Sequence, residues 1–259
     1  MVWRLFVATI CLCQCLAHIE TDRRSHKNSI IMIVKRIHIK LEVEYSKIPS
    51  QNFLYQFYLR SRHIFNFIER ECLKKLRRKA DYDTISIEVR HGFEPLYMQP
   101  TADVIYHNVL RIILPFNLEE YRQLSTLNEY YTFIEKILVD ALWVVGDRFN
   151  FPGNEILESY HNFLQQGCKN TWILQSKILD KESKLKVQLK GQLTESKFIL
   201  EYLLYVGKTL VASQTIFTGD PDELIFSNIV KEVYWDGRYI IISGKNGIIK
   251  RLVDVIKSS

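Results

Sequence analysis

Four segments in the second half of the chain, 171–179, 184–193, 197–206 and 209–217, follow one another at intervals of about ten residues with nothing helical between them. The second is the clearest: Leu185, Val187, Leu189 and Leu193 alternate with Lys186, Gln188, Lys190 and Gln192. A period of two leaves one apolar and one wet face, which is the pattern of a half-buried strand. The separators are short and polar: Asp180–Ser183, Thr194–Ser196 and Gly207-Lys208. Parallel strands need a long crossover, so turns this short dictate sequential antiparallel pairing. The region is predicted to be a four-stranded β-meander. Thr218-Gly-Asp-Pro-Asp222 breaks it, and residues 223–233 are predicted as a short helix. Asp236-Gly237 and Gly244-Lys-Asn-Gly247 then mark turns around a hairpin of 239–243 and 248–256.

The first half reads differently. Ile37, Ile39, Leu41, Val43 and Tyr45 alternate with His38, Lys40, Glu42 and Glu44, giving a strand with one wet face. Pro49 is suited to a first helical turn. Phe53, Leu54, Phe57, Ile64, Phe65, Ile68, Cys72 and Leu76 then form a helical stripe. Residues 84–90 and 103–114 are predicted as two further strands, the second more apolar, joined by an irregular segment with Pro95 and Pro100. Asn117 with Glu120 has capping-box spacing and opens a helix with Leu118, Tyr121, Leu124, Tyr131, Ile134, Leu138, Ala141 and Leu142 on its buried side. Gly146 and Gly167 are placed to stop two helices, the second over 155–166.

The fold class that follows is α+β: an N-terminal β-α-β-β-α-α unit, then an antiparallel meander with a short helix and a C-terminal hairpin. The first unit is akin to a split β-α-β arrangement whose last strand is missing or supplied later. The soft boundary is near Gly167, dividing 32–167 from 168–259. Gly and Pro number only 10 and 6, so no flexible linker separates the parts and they are expected to pack as one unit.

Residues 1–31 stand apart. Arg4, a short apolar run and Ala17 before His18 fit a secretory signal peptide, too short for a membrane span. The competing reading is an over-extended start, with translation beginning at Met32; an amphipathic anchor is the third. The first implies a periplasmic or secreted protein, the second a cytoplasmic one. Three of the five cysteines lie in this leader, leaving Cys72 and Cys168, as one disulfide or as two free thiols. The formal charge is +6, and +4 without residues 1–31. That excess is too mild to indicate nucleic acid.

The largest concentration of charge is Lys74, Lys75, Arg77, Arg78 and Lys79. It suits a phosphate, nucleic-acid or acidic-partner patch or, more plainly, a solvated helix C-terminus, where cations are favoured by the macrodipole. His91, Glu94 and His107 form the nearest approach to an acid–base cluster, on two strand ends and the loop between them, but with no metal-motif spacing. Asp81, Asp83 and Glu88 could supply a carboxylate pair, Asp220–Glu223 a helix cap, and Cys168 with His161 a nucleophile and base. Neither a P-loop nor a dinucleotide fingerprint is present, and no cofactor or metal is expected. Phe53, Tyr55, Phe57 and Tyr58 crowd one helix start beyond what a single core face buries, which favours an interface at Tyr55 and Tyr58. The expected role is a non-catalytic module that binds another protein, in one concrete version a bacterial toxin-neutralising protein of the immunity type. The alternatives are an enzyme with its site near His91, Glu94 and His107, and an exported structural factor.

Overall fold

A computed structural model of the chain describes residues 32–44, 50–76, 79–105, 108–222, 230–235, 239–244 and 247–252. Its first sheet holds β2 (Arg36–Val43), β4 (Thr84–His91), β5 (Thr101–Ile105) and β6 (Val109–Pro115) in the order β2-β4-β6-β5. The strands β2, β4 and β6 are parallel, and β5 is antiparallel on the outer side of β6. Two-residue strands β1 (Met32–Ile33) and β3 (Lys79–Ala80) pair beside it. The strand expected over 103–114 is therefore a hairpin. Asn108, with φ at 62°, takes the left-handed conformation that asparagine tolerates, and the chain reverses there. An apolar run on both sides of that turn hid the break.

Ile37, Ile39, Leu41, Ile85, Ile87, Val89, Leu110, Ile112 and Leu114 form the buried face of this sheet. The helix α1 (Gln51–Ile68) joins β2 to β4 and packs on β2. Ser50 caps it, accepting the Phe53 N–H at 3.0 Å. The helix continues through a π-helical turn, Glu69–Leu73, to Leu76. Residues 61–69 of this segment are almost completely enclosed, polar ones included. Arg62 and Glu69 pair at 3.6 Å. Together they occupy the outer edge of β2, where Arg62 donates to the Ile37 carbonyl and Glu69 accepts the Ile37 N–H.

The helix expected from Leu118 is two. In α2 (Leu118–Gln123) Asn117 accepts the N–H groups of Glu119 and Glu120. Leu124 is extended, and a true capping box of Thr126 and Glu129 opens α3 (Leu127–Val145). Gly146 ends α3 with φ at 56°, which a side chain would strain. The helix α4 (Gly153–Gln165) packs on α1 and α3 and ends before Gly167.

The meander is as expected: β7 (Asn170–Asp180), β8 (Leu185–Leu193), β9 (Phe198–Val206) and β10 (Thr209–Gly219), all antiparallel neighbours. The inner strands have nine residues and the outer ones eleven. Register shifts set Leu174 and Leu179 in β7, and Val211 and Ile216 in β10, out of pairing as bulges. The C-terminal hairpin, β12 (Ile240–Gly244) with β13 (Gly247–Leu252), gains a third strand, β11 (Glu232–Trp235), where the end of the short helix was expected. Residues 223–229 of that expected helix lie outside the described residues. Leu185, Val187, Leu189, Leu200, Leu204, Val233, Ile240 and Ile242 close a second core between the two sheets.

Asn170, at the start of β7, ties the meander to α1. Its amide donates to the His63 carbonyl at 2.7 Å and to Asn66 Oδ1 at 3.2 Å, and its oxygen accepts from Arg70 at 2.8 Å. Arg70 also lies over the Trp172 ring, 4.8 Å from its centre.

Candidate functional site

Three places gather chemistry. The first is a cleft of about 410 Å³ at the carboxyl ends of β4 and β6. Open sheets with parallel strands bind ligands at this end, because the chain turns outward there and leaves a crevice. His91 is the last residue of β4, and Phe116 and Asn117 follow β6 directly. Met98 comes from the 3-10 turn Pro95–Met98, and α3 contributes Phe133, Lys136, Ile137 and Asp140. His91 Nδ1 lies 3.1 Å from the Phe116 carbonyl oxygen. A carbonyl only accepts, so Nδ1 carries the hydrogen and the neutral ring offers Nε2 as an acceptor. Lys136 pairs with Glu120 at 3.4 Å on the rim.

Of the three residues expected to converge here, the structure places only His91 in the cleft. Glu94 is exposed and heads the 3-10 turn through its carbonyl, which accepts the Tyr97 N–H. It is not among the residues that line the cleft. His107 lies outside the described residues. Lys136 and Asp140 escaped the sequence reading. Their signal was an i, i+4 pair on the polar side of α3, continued at i+7 by Trp143, an indole where that face should be polar.

The second place is the polar chain His63–Tyr131–Cys168, buried at His63 and Tyr131 and half-buried at Cys168. The Arg60 carbonyl accepts from His63 Nδ1 at 2.9 Å, so Nε2, 3.2 Å from the Tyr131 hydroxyl, accepts from it. Burial pushes the His63 ring down to about 4. Burial likewise raises the Tyr131 hydroxyl and the Cys168 thiol, which contact one another. A thiol held in its protonated form is a poor nucleophile. His161 instead pairs with Glu135 at 2.8 Å, so Cys168 and His161 do not form the pair considered from sequence. Cys72 and Cys168 are not joined in a disulfide.

The third is the outward face of the meander. Pairing register puts Ile173, Ser176 and Ile178 of β7 beside Lys186, Gln188 and Lys190 of β8. Ile199, Glu201, Leu203 and Tyr205 of β9 share that face, with Leu210 of β10 next to Tyr205. Ile178 is 63% exposed and Leu210 50%. Lys190 pairs with Glu201 at 3.3 Å, and Lys186 lies over the Tyr205 ring.

The remaining candidates are scattered. Tyr55 donates to Asp222 at 3.1 Å, reaching the segment after β10, and the Tyr58 ring lies beneath Arg62. Lys74 and Lys75 are exposed at the end of the π-turn, where Lys75 pairs with Glu71; Arg77 and Arg78 lie outside the described residues. Asp83 bonds the Thr84 hydroxyl and Glu88 pairs with Arg90, so they do not form a carboxylate pair. Among the described residues no group of three or more His, Cys, Asp or Glu could hold a metal ion, and no helix is long and apolar enough to cross a membrane. No protein-family model, curated protein or solved structure matches the chain.

Proposed function

We propose that the chain is a non-catalytic module that binds another protein through the outward face of its meander. One observation carries this reading. Ile173, Ile178 and Leu210 are exposed on the same face as the half-buried Ile199, Leu203 and Tyr205. Apolar side chains gathered on one sheet face, with charges between them, have the composition of an interaction surface. Tyr205, with few rotors and a polar tip, is the anchor such surfaces favour. A toxin-neutralising protein of the bacterial immunity type would use a surface of this kind.

The test is in-cell crosslinking from a photoreactive residue at position 178 in the native host. The crosslinked protein is then purified, and its affinity measured for the wild-type chain and for Ile173→Lys/Ile178→Lys. These side chains are exposed, so circular dichroism should be unchanged while affinity falls at least tenfold. Equal affinity for both forms would remove the meander face from consideration. The enzyme reading has one observation in its favour, the presence of His91 in a cleft at the carboxyl ends of parallel strands.

A further inference from the structure

We propose that the cleft at the carboxyl ends of β4 and β6 is a binding site for a small organic cation, an ammonium group carried on an aromatic or aliphatic body. This surface is separate from the meander face and does not depend on it.

Size comes first. About 410 Å³ lies within the range of small-molecule sites and is too little for a folded partner. The apolar part of the lining includes Met98, Phe116, Phe133 and Ile137. They would hold the body of the ligand. Phe116 and Phe133 are in edge-to-face contact, 5.7 Å between ring centres, so this part of the lining is fixed by packing.

The polar groups set the sign of the ligand. Lys136 pairs with Glu120, which removes one charge of each kind. Asp140 remains as the net charge of the cleft and is exposed. His91 adds an acceptor, because its Nδ1–H is committed to the Phe116 carbonyl and Nε2 is left to face a donor. A carboxylate and a ring nitrogen in a lining that is otherwise largely apolar fit a ligand with N–H donors and a positive charge. They repel an anion.

Trp143 is 81% exposed, the largest exposure among the big apolar side chains described. It stands three residues after Asp140, so the two are neighbours on one helix face. Trp143 is not itself among the residues that line the cleft; it is a neighbour of Asp140 along α3. An ammonium held at Asp140 would come within reach of an indole three residues along the helix, whose negative ring face would add to the counter-charge.

The experiment is a titration of the full-length protein with 2-phenylethylamine and, separately, with 3-phenylpropanoate, which has a similar body and the opposite charge. Binding is read by calorimetry and by the histidine and indole NMR resonances. Saturable binding of the amine, with shifts at His91 and Trp143 and none from the carboxylate, is the expected result. Asp140→Asn should weaken the amine at least tenfold, and Trp143→Ala several-fold. Both positions are exposed, so the fold should be unaffected in each. Equal response to the two probes, no saturable response to either, or an unchanged affinity in Asp140→Asn would each overturn the proposal.

Discussion

The carboxylate of Glu69 accepts the backbone N–H of Ile37 at 3.0 Å, 32 residues away in the chain. Ile37 is on β2, an outer strand of the first sheet, and Arg62 takes the carbonyl of the same residue. A buried ion pair thus does for this edge what a neighbouring strand would do. Its charges are enclosed, so removing one partner leaves the other uncompensated.

Glu69→Ala should therefore destabilise the fold by about 3–5 kcal/mol, more than an average core truncation. Glu69→Gln keeps an acceptor for Ile37 and should lose less. Urea denaturation followed by circular dichroism measures both. Equal losses in the two variants would show that the charge is irrelevant and the hydrogen bond alone matters.

His63 gives the fold an acid sensitivity. Its ring is pushed down to about 4 by burial, against an ordinary 6.5 in the unfolded chain. The unfolded state thus takes up a proton first. Stability from the neutral ring is complete above pH 6.5 and is lost as the pH falls to about 4, by roughly 3 kcal/mol in all. Denaturation midpoints from pH 7 to 4 should show this slope in the wild type. His63→Gln should flatten it. A slope unchanged in that variant would assign the acid sensitivity to other groups.

Asn170 makes three hydrogen bonds at the junction of α1 and β7, all part- or fully buried. Asn170→Ala abandons the His63 carbonyl, the Asn66 oxygen and one Arg70 nitrogen. The expected loss is about 2–4 kcal/mol, since each buried group left unmet costs roughly 1–3 kcal/mol. Hydrogen exchange should report where it is felt, with protection falling in the first residues of β7 ahead of the rest of the meander. A uniform fall would mean that the junction does not open separately.

Gly191 is paired with Trp172 across β8 and β7. A Cβ there would come within 3.0 Å of the Trp172 ring and of Leu174. Gly191→Ala should cost about 1–3 kcal/mol through the shift it forces on these side chains. Thermal denaturation gives the cost, and the Trp172 indole resonance should move. A variant as stable as the parent, with that resonance unmoved, would contradict the packing described.

Much of this fold was legible in local pattern. The alternation of Leu185, Val187 and Leu189 needs no tertiary information, and Gly146 and Gly167 mark helix ends because the backbone there is left-handed. The hairpin at Asn108 was illegible because asparagine is an ambiguous turn residue, and the strands on either side read as one run. Arg62 and Glu69 were not legible as a pair, because what joins them to the fold is the backbone of β2, which no spacing reveals. For the cleft, His91 was legible as a histidine at a strand end. Asp140 was not, because what distinguishes it is that Lys136 turns to Glu120 instead, a choice made only in three dimensions.

The four bulged residues of β7 and β10 have a consequence for how the molecule survives at high concentration. A regular outer strand is a template: a second copy can lay its own strand alongside and continue the ladder without end. Leu174, Leu179, Val211 and Ile216 interrupt both borders of the meander, so a second copy would meet a pleat that falls out of step twice along its length. The protein can thus present a broad, partly apolar sheet face to solvent while denying fibrous growth the straight border it needs.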